Sequence, residues 1–180
     1  SQATRTGCTI VATDDNRVYS AVQHFGGTVM MTEPNHPTGT DRLAEVASHY
    51  TDLDVVINVQ GDEPMIDPNL IDDLAHLFEE DPNLQMATVA TPLLEEEYEE
   101  PSAVKVILNN RNDAMYFSRS LIPYPRHDFV RPPLKHIGIY AYRREFLLNY
   151  AKMEPTPAEQ TESLEQLRAL ENGYTIRVIL

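Results

Sequence analysis

Residues 54–60, Asp-Val-Val-Ile-Asn-Val-Gln, are the strongest predicted β-strand of the chain, and Gly61-Asp62-Glu63-Pro64 ends it. The run is apolar enough to be covered on both faces, as in the central strands of α/β sheets. Open α/β sheets bind ligands beyond the carboxyl ends of their strands. Asp62 is therefore a candidate Mg²⁺ ligand, and a surface turn with a solvated acid pair is the alternative interpretation.

Strands and helices alternate on either side of this segment. Predicted strands cover 8–13, 28–32, 84–89, 136–142 and 174–180, and a hairpin joins 103–108 to 114–118. Predicted helices cover 18–25, 43–47, 68–78, 143–152 and 157–172. This order predicts an α/β fold, arranged as a three-layer sandwich in a single domain over residues 1–180. Its sheet should be mixed and mostly parallel, with an antiparallel hairpin in the second half.

Composition and charge exclude several classes of protein. The 180 residues carry 14 Lys and Arg against 28 Asp and Glu, a net charge of −14, which argues against nucleic acid as a partner. No apolar stretch is long enough for a membrane span, so we expect a soluble, cytoplasmic protein. The single cysteine, Cys8, excludes an internal disulfide and a cysteine-based zinc site. Glycine motifs for dinucleotides or for a Walker loop are missing.

Two other segments follow predicted strands. Thr13 and Asp14 end the first strand. The turn Thr38-Gly39-Thr40 begins a helix whose backbone N–H groups could bind an anion or the polar edge of a base. Taken by itself, this turn is better explained by a helix cap at Thr40 or Asp41.

The second half of the chain offers weaker candidates. Arg119 ends a predicted strand and could pair with a substrate carboxylate, although a surface salt bridge is the commoner role of a lone arginine. His136 and Tyr140 alternate onto one face of a strand, where a buried, hydrogen-bonded histidine is the usual explanation.

The last predicted helix carries two pairs of polar residues. Glu162 shares a face with Gln166, and Glu165 shares one with Arg168. A solvated helix face with an ion pair between Glu165 and Arg168 explains both pairs.

Taken in order, these segments resemble a known family. The resemblance lies in eight segments: Ile-Val-Ala-Thr-Asp14, Gly-Thr-Asp-Arg-Leu-Ala-Glu45, Asn58-Val-Gln-Gly-Asp-Glu-Pro64, Ala-Val-Lys-Val106, Tyr-Phe-Ser-Arg119, Ile-Pro123, Lys-His-Ile-Gly-Ile-Tyr140 and Leu-Glu-Gln-Leu-Arg168. With this spacing the chain resembles the CMP-Kdo synthetases, the 3-deoxy-manno-octulosonate cytidylyltransferases of lipopolysaccharide synthesis.

The resemblance implies that CTP and Kdo (3-deoxy-manno-octulosonate) give CMP-Kdo and pyrophosphate with Mg²⁺ as cofactor. Asp62 would bind the metal and, with Gln60 and Arg119, form the catalytic set. The residues around CTP would be Ala12, Thr13, Asp14, Thr38, Gly39, Thr40 and Arg42. Those around Kdo would be Gln60, Arg119, His136, Tyr140, Glu165 and Gln166, with Arg119 on the sugar carboxylate. The family also implies a homodimer, formed through the hairpin and the Pro-rich stretch 123–133.

Two departures from the family pattern affect these expectations. The chain starts after the family's first strand and triphosphate loop, and it stops before a later Asp that supplies a second metal-binding carboxylate. If these segments do not exist, we expect negligible turnover. The alternatives are CMP transfer to 8-amino-Kdo or a related acid sugar, and a non-catalytic nucleotide-binding fragment. An NAD-dependent oxidoreductase would need the missing glycine fingerprint.

Overall fold

A computed structural model describes residues 2–61 and 66–180. The elements follow the order β1 (Ile10–Thr13), α1 (Asn16–His24), β2 (Thr28–Met31), α2 (Gly39–His49), β3 (Val55–Asn58), α3 (Pro68–Glu80), β4 (Met86–Pro92), a 3₁₀ turn (Glu95–Glu97), β5 (Lys105–Leu108), β6 (Ala114–Ser118), β7 (Leu134–Arg143), α4 (Arg144–Tyr150), α5 (Pro157–Glu162), α6 (Leu167–Glu171) and β8 (Ile176–Ile179). The predicted α/β class is confirmed.

The long strand β7 organises the main sheet of six strands. One edge of β7 pairs with β4, while the other pairs first with β5 and then with β3. All three pairings are antiparallel, and among the described strands only β1–β2 and β4–β8 are parallel. The sheet is mixed, as predicted, but fewer of its strand pairs are parallel than expected. The chain reaches β7 from a hairpin without the helical crossover that a parallel strand needs.

Helices cover both faces of this sheet. On β4, Met86 and Ala90 belong to the hydrophobic cluster under α2, α4 and α6, while Ala87 and Val89 belong to the cluster under α3. Such alternation is what a strand buried on both faces requires. The predicted three-layer arrangement follows from it.

Two successive arginines, the last residue of β7 and the first of α4, attach helices to opposite faces of the sheet. Arg143 donates from Nη2 to the carbonyls of Phe78 and Asp81 at the end of α3, at 3.1 and 3.3 Å. Arg144 donates from Nε to the Ala47 carbonyl in α2 at 3.0 Å. Since the last carbonyls of a helix lack partners within it, these bonds fix where α3 and α2 end.

The predicted helix 157–172 is wrong in one respect, because it is two short helices. Ser163 interrupts it in the left-handed conformation with φ of 52°, which an L-residue adopts only when its surroundings hold it. The turn directs the chain from α5 into α6 and sets the position of Glu165. None of the described helices has the length and apolar run needed to cross a membrane.

Candidate functional site

The N-terminus of α2 carries the first group of predicted site residues. Thr38 is its N-cap: its hydroxyl accepts from the Asp41 N–H, and the Asp41 carboxylate accepts from the Thr38 N–H at 3.1 Å. The cap is therefore Thr38, and the predicted caps Thr40 and Asp41 were wrong. Gly39 is exposed, and a Cβ there would meet no atom within 4 Å. This leaves open space beside the first turn of the helix.

Arg42 joins α2 to the ends of the two parallel strands. Its guanidinium donates to the Thr32 hydroxyl, just after β2, at 2.5 Å, and to the Asp14 carboxylate, just after β1, at 2.9 Å. The hydrogen bond from Arg42 lowers the pKa of Asp14 below its ordinary value. Asp14 is therefore ionised at neutral pH and holds Arg42 in place.

The predicted residues Ala12 and Thr13 lie at the end of β1. Ala12 is half-buried and Thr13 is buried, and the Thr13 hydroxyl accepts from the Asp15 N–H at 3.1 Å. Thr13 thus shapes the turn after β1, while Asp14 is the group at the surface. The structure brings Asp14 and Arg42 together as the resemblance implied.

The second group of predicted site residues lies around a β-bulge in β7. Thr88 of β4 is opposite Tyr140 and Val89 is opposite Ile137, so β7 contains two additional residues between them. One of these is Gly138, whose carbonyl accepts from Gln60 Nε2 at 3.4 Å. The bulge lies where β5 and β3 separate along β7. The hydrogen bond to Gly138 holds Gln60 beside the bulge, where the pairing of β7 changes from β5 to β3.

His136 and Tyr140 stand on either side of the bulge. Their rings lie 5.2 Å apart, and the Phe117 ring lies 5.0 Å from His136. Burial lowers the pKa of His136 to about 4 and raises the pKa of Tyr140 well above its ordinary value. Both side chains are therefore neutral at physiological pH and can act only as hydrogen-bonding groups.

Glu165 brings a carboxylate to the same region. Its Oε1 is buried and has no hydrogen-bond partner among the described residues. Burial raises the pKa of Glu165, while Thr40 and Arg168 act in the opposite direction. A buried acceptor without a partner is costly unless a ligand completes it. Gln166, the next residue, is buried.

Arg119 binds main chain in this structure. It donates from Nε to the Glu162 carbonyl at 2.7 Å, from Nη1 to Pro101 at 3.0 Å and from Nη2 to Ser163 at 3.2 Å. The Glu162 carboxylate accepts from the Ser118 hydroxyl and from the Arg119 N–H. The interpretation of Glu162 as part of a solvated face was therefore wrong: it connects α5 to the end of β6.

A buried ion pair supports the corner between α5 and α6. Arg168 donates from Nε to Glu159 at 2.8 Å, and the two side chains are 7% and 10% exposed. The predicted partner of Arg168, Glu165, is 3.9 Å away and contributes less. The guanidinium also lies over the Tyr150 ring, 5.4 Å from its centroid.

The described residues form no complete metal site. Asp62, the predicted ligand, lies outside the described residues. Within 2–61 and 66–180, His, Cys, Asp and Glu side chains form no group of three or more that could hold a metal ion. A single carboxylate nevertheless suits Mg²⁺, which usually binds through one or two carboxylates together with substrate phosphates and water.

The two groups of predicted site residues lie next to each other at Thr40. Thr40 of α2 is buried, and it lies close enough to Glu165 and Tyr142 to act against the rise that burial causes in the pKa of each. The group around α2 thus touches the group around β7 and the α5–α6 corner. Sequence reasoning missed Thr88, Glu159 and the buried Lys105, whose Nζ donates to the carbonyls of Glu100 and Arg119 at 2.7 and 3.1 Å. A polar residue in the middle of an otherwise apolar strand was the available signal for Thr88 and Lys105.

Comparison with known proteins places this geometry among characterised relatives. A family model described as "Cytidylyltransferase" matches residues 1–176. The 3-deoxy-manno-octulosonate cytidylyltransferase of Fusobacterium nucleatum is 52% identical over 94% of this chain and 70% of its own length. That of Escherichia coli is 52% identical over 93% of this chain and 68% of its own.

A solved structure of similar fold supports the same family. CMP:2-keto-3-deoxy-manno-octonic acid synthetase in complex with CTP superimposes with a TM-score of 0.94 at 49% identity, covering 99% of this chain and 73% of that one. The likeness therefore extends over nearly the whole described fold, including the elements that form the two groups.

Proposed function

The chain belongs to the cytidylyltransferase family and, within it, to the 3-deoxy-manno-octulosonate cytidylyltransferases, and from that premise we propose that it transfers CMP from CTP to Kdo. The products are CMP-Kdo and pyrophosphate. The relative that superimposes on this chain was solved with CTP, which supports the nucleotide assignment.

One proximity carries the proposal: Thr40, on the side assigned to CTP, lies close enough to Glu165, on the side assigned to Kdo, to lower the pKa of that carboxyl. A nucleotidyl transfer needs both substrates in one crevice with the attacking oxygen close to the α-phosphorus. A shared wall between the two groups meets that requirement.

On the nucleotide side, we assign Ala12, Thr13, Asp14, Thr38, Gly39, Thr40 and Arg42 to CTP. The open space at Gly39 admits a flat base against the first turn of α2. Arg42 keeps α2 in register with the strand ends through Asp14. Their common task is to hold the nucleotide rigidly, which is the main source of rate in such a reaction.

On the sugar side, we assign Gln60, Arg119, His136, Tyr140, Glu165 and Gln166 to Kdo. The unpartnered Oε1 of Glu165 can accept from a sugar hydroxyl. Arg119 uses one N–H of Nη1 and one of Nη2 for carbonyls, so each of these nitrogens keeps a second hydrogen for the sugar carboxylate.

In the reaction, the anomeric 2-hydroxyl of Kdo loses its proton to solvent and its oxygen forms a bond to the α-phosphorus. The bond between the α-phosphorus and the oxygen that bridges it to the β-phosphorus breaks, and pyrophosphate leaves with that oxygen. We assign Asp62 to Mg²⁺, which when bound would neutralise phosphate charge and favour ionisation of the sugar hydroxyl. The residues of this chain orient the two substrates and exclude water from between them.

The test is formation of CMP-Kdo, identified by mass, together with released pyrophosphate when the full-length protein receives CTP, Kdo and Mg²⁺. We expect UTP to replace CTP poorly. Glu165→Gln should raise the KM for Kdo about tenfold, the effect of one charged hydrogen bond, with little change for CTP. The surface variant Arg17→Met serves as the control.

Three outcomes would change the proposal. Faster turnover of 8-amino-Kdo than of Kdo would assign the amino sugar as substrate. Tight CTP binding without any product would indicate a non-catalytic nucleotide-binding protein. Turnover of Kdo that Glu165→Gln leaves unchanged would remove Glu165 from the sugar site.

We also propose a homodimer and a cytoplasmic location, where CTP is available. Support for the dimer comes from the Pro-rich segment, in which Tyr124 is 85% and Val130 is 99% exposed; apolar side chains of this kind are typical of interfaces. Analytical ultracentrifugation should show a dimer that Val130→Asp weakens, whereas a monomeric wild type would contradict the assignment.

A further inference from the structure

The bulge in β7 is held by one buried hydroxyl, that of Thr88. The Thr88 side chain is fully buried in β4, opposite the two additional residues of β7. Its Oγ1 lies 2.6 Å from the Ile139 carbonyl oxygen, 3.3 Å from that of Ile137 and 2.9 Å from Nε2 of His136. Thr88 thus connects the irregular part of the strand to the histidine beside it.

The hydrogen-bonding capacity of these groups determines where the protons are. A threonine hydroxyl has one hydrogen to donate, and a carbonyl oxygen can only accept. At 2.6 Å, the contact with Ile139 must contain the hydroxyl hydrogen. The hydroxyl therefore accepts at His136, so Nε2 of His136 carries a hydrogen and donates it.

Building on the function proposed above, we infer that Thr88 is a positioning residue that holds His136 in its Nε2–H tautomer, so that Nδ1 accepts a hydrogen bond from a sugar hydroxyl. Neutral imidazole has one protonated and one unprotonated nitrogen. With the proton fixed at Nε2, the nitrogen left for the substrate is an acceptor.

Other features of the site are consistent with this role. Burial lowers the pKa of His136 to about 4, so the ring is neutral at physiological pH and Nδ1 is free of a proton. Among the described residues, Nε2 is the only ring atom of His136 with a hydrogen bond to protein. The rings of Phe117 and Tyr140 contact the imidazole from two sides and restrict its rotation.

The direct test is ¹⁵N NMR of the histidine-labelled chain at neutral pH. His136→Gln identifies the signals of His136 among the six histidines. We expect a protonated, pyrrole-type Nε2 and an unprotonated, pyridine-type Nδ1 in the wild type and in Thr88→Ser. Thr88→Val, which has no hydroxyl, should show a mixture of tautomers. A wild-type His136 protonated at Nδ1 would overturn the inference without any variant being needed.

Binding measurements then test the consequence for the substrate. Thr88→Val should weaken Kdo binding by the factor that its tautomer mixture sets, about twofold for an equal mixture, because only the Nε2–H form accepts the sugar hydroxyl; CTP binding should stay unchanged and Thr88→Ser should restore the affinity for Kdo. Thr91→Val, on the same strand, is the matched control and should bind both like the wild type.

The two proposals fail in different ways. If the wild type binds Kdo but Thr88→Val binds it equally well with an unchanged tautomer, the role of Thr88 is refuted and the function stands. If the wild type itself has no affinity for Kdo, the function fails and the role of Nδ1 toward a sugar fails with it.

Discussion

Replacing Arg168 with Met tests whether the buried ion pair holds the α5–α6 corner. The variant leaves the Glu159 carboxylate 10% exposed and without its partner. Burial raises the pKa of Glu159, but the hydrogen bond and charge of Arg168 together with the hydrogen bonds from Thr156 outweigh it and keep the pKa below the ordinary value. Breaking a buried pair on one side costs about 3–5 kcal/mol.

For a chain of this size, 1 kcal/mol corresponds to about 2–4 °C in Tm, so Arg168→Met should lower Tm by about 6–20 °C. Thermal unfolding followed by circular dichroism measures it. Arg17→Met, which removes an exposed partner of Asp15, should lower Tm far less, because exposed ion pairs contribute little to stability. The double variant with Glu159→Gln should recover at least about 0.5 kcal/mol. A loss no larger than that of Arg17→Met would refute the reasoning.

Three further variants follow from the same contacts. The pKa of His136 is lowered from 6.5 to about 4, so between these pH values the unfolded chain binds a proton that the folded chain does not. As the pH is lowered from 6.5 to 4, the free energy of unfolding should therefore decrease by up to about 3 kcal/mol. Urea titrations of His136→Phe should show a smaller decrease. Arg42→Met should weaken CTP binding about tenfold or more by calorimetry, since it removes charged hydrogen bonds to Asp14 and Thr32; unchanged affinity would exclude Arg42 from the nucleotide side. Arg143→Ala leaves the last carbonyls of α3 without a donor and should cost about 1–3 kcal/mol in urea unfolding, and a neutral effect would show that water replaces the side chain.

The alternation of strands and helices was predictable because it depends on local patterns. Asp67 and Pro68, for example, were expected to begin a helix, and the Asp67 side chain accepts from the Asn69 N–H as an N-cap. The ordered set of short motifs is also enough to identify the family from the sequence alone.

The register of β7 against β4 was not predictable from local patterns. The bulge at Gly138 exists only because Thr88 and Tyr140 pair across about fifty intervening residues. The break at Ser163 likewise depends on Arg119, which holds the Glu162 and Ser163 carbonyls from another part of the chain. Contacts of this kind are set by tertiary packing and leave no periodic signal.

Pairings of charged side chains were predicted least well. Spacing of three along a helix suggested Glu165 as the partner of Arg168, but the two residues are not in one continuous helix. Arg168 hydrogen-bonds Glu159 across the turn, and its ion pair with Glu165 is longer, at 3.9 Å. Among the described residues, Oε1 of Glu165 is left without a hydrogen-bond partner, which is why we assign it to the sugar.

Amide chemical shifts recorded during stepwise addition of CTP and then Kdo test most directly whether α2 and the bulged strand share one crevice. We expect CTP to perturb 12–14 and 38–42, and Kdo, added to the saturated complex, to perturb 136–140 and 165–166. Shifts that cluster instead in the Pro-rich segment, or two ligands that perturb opposite ends of the sheet, would contradict it.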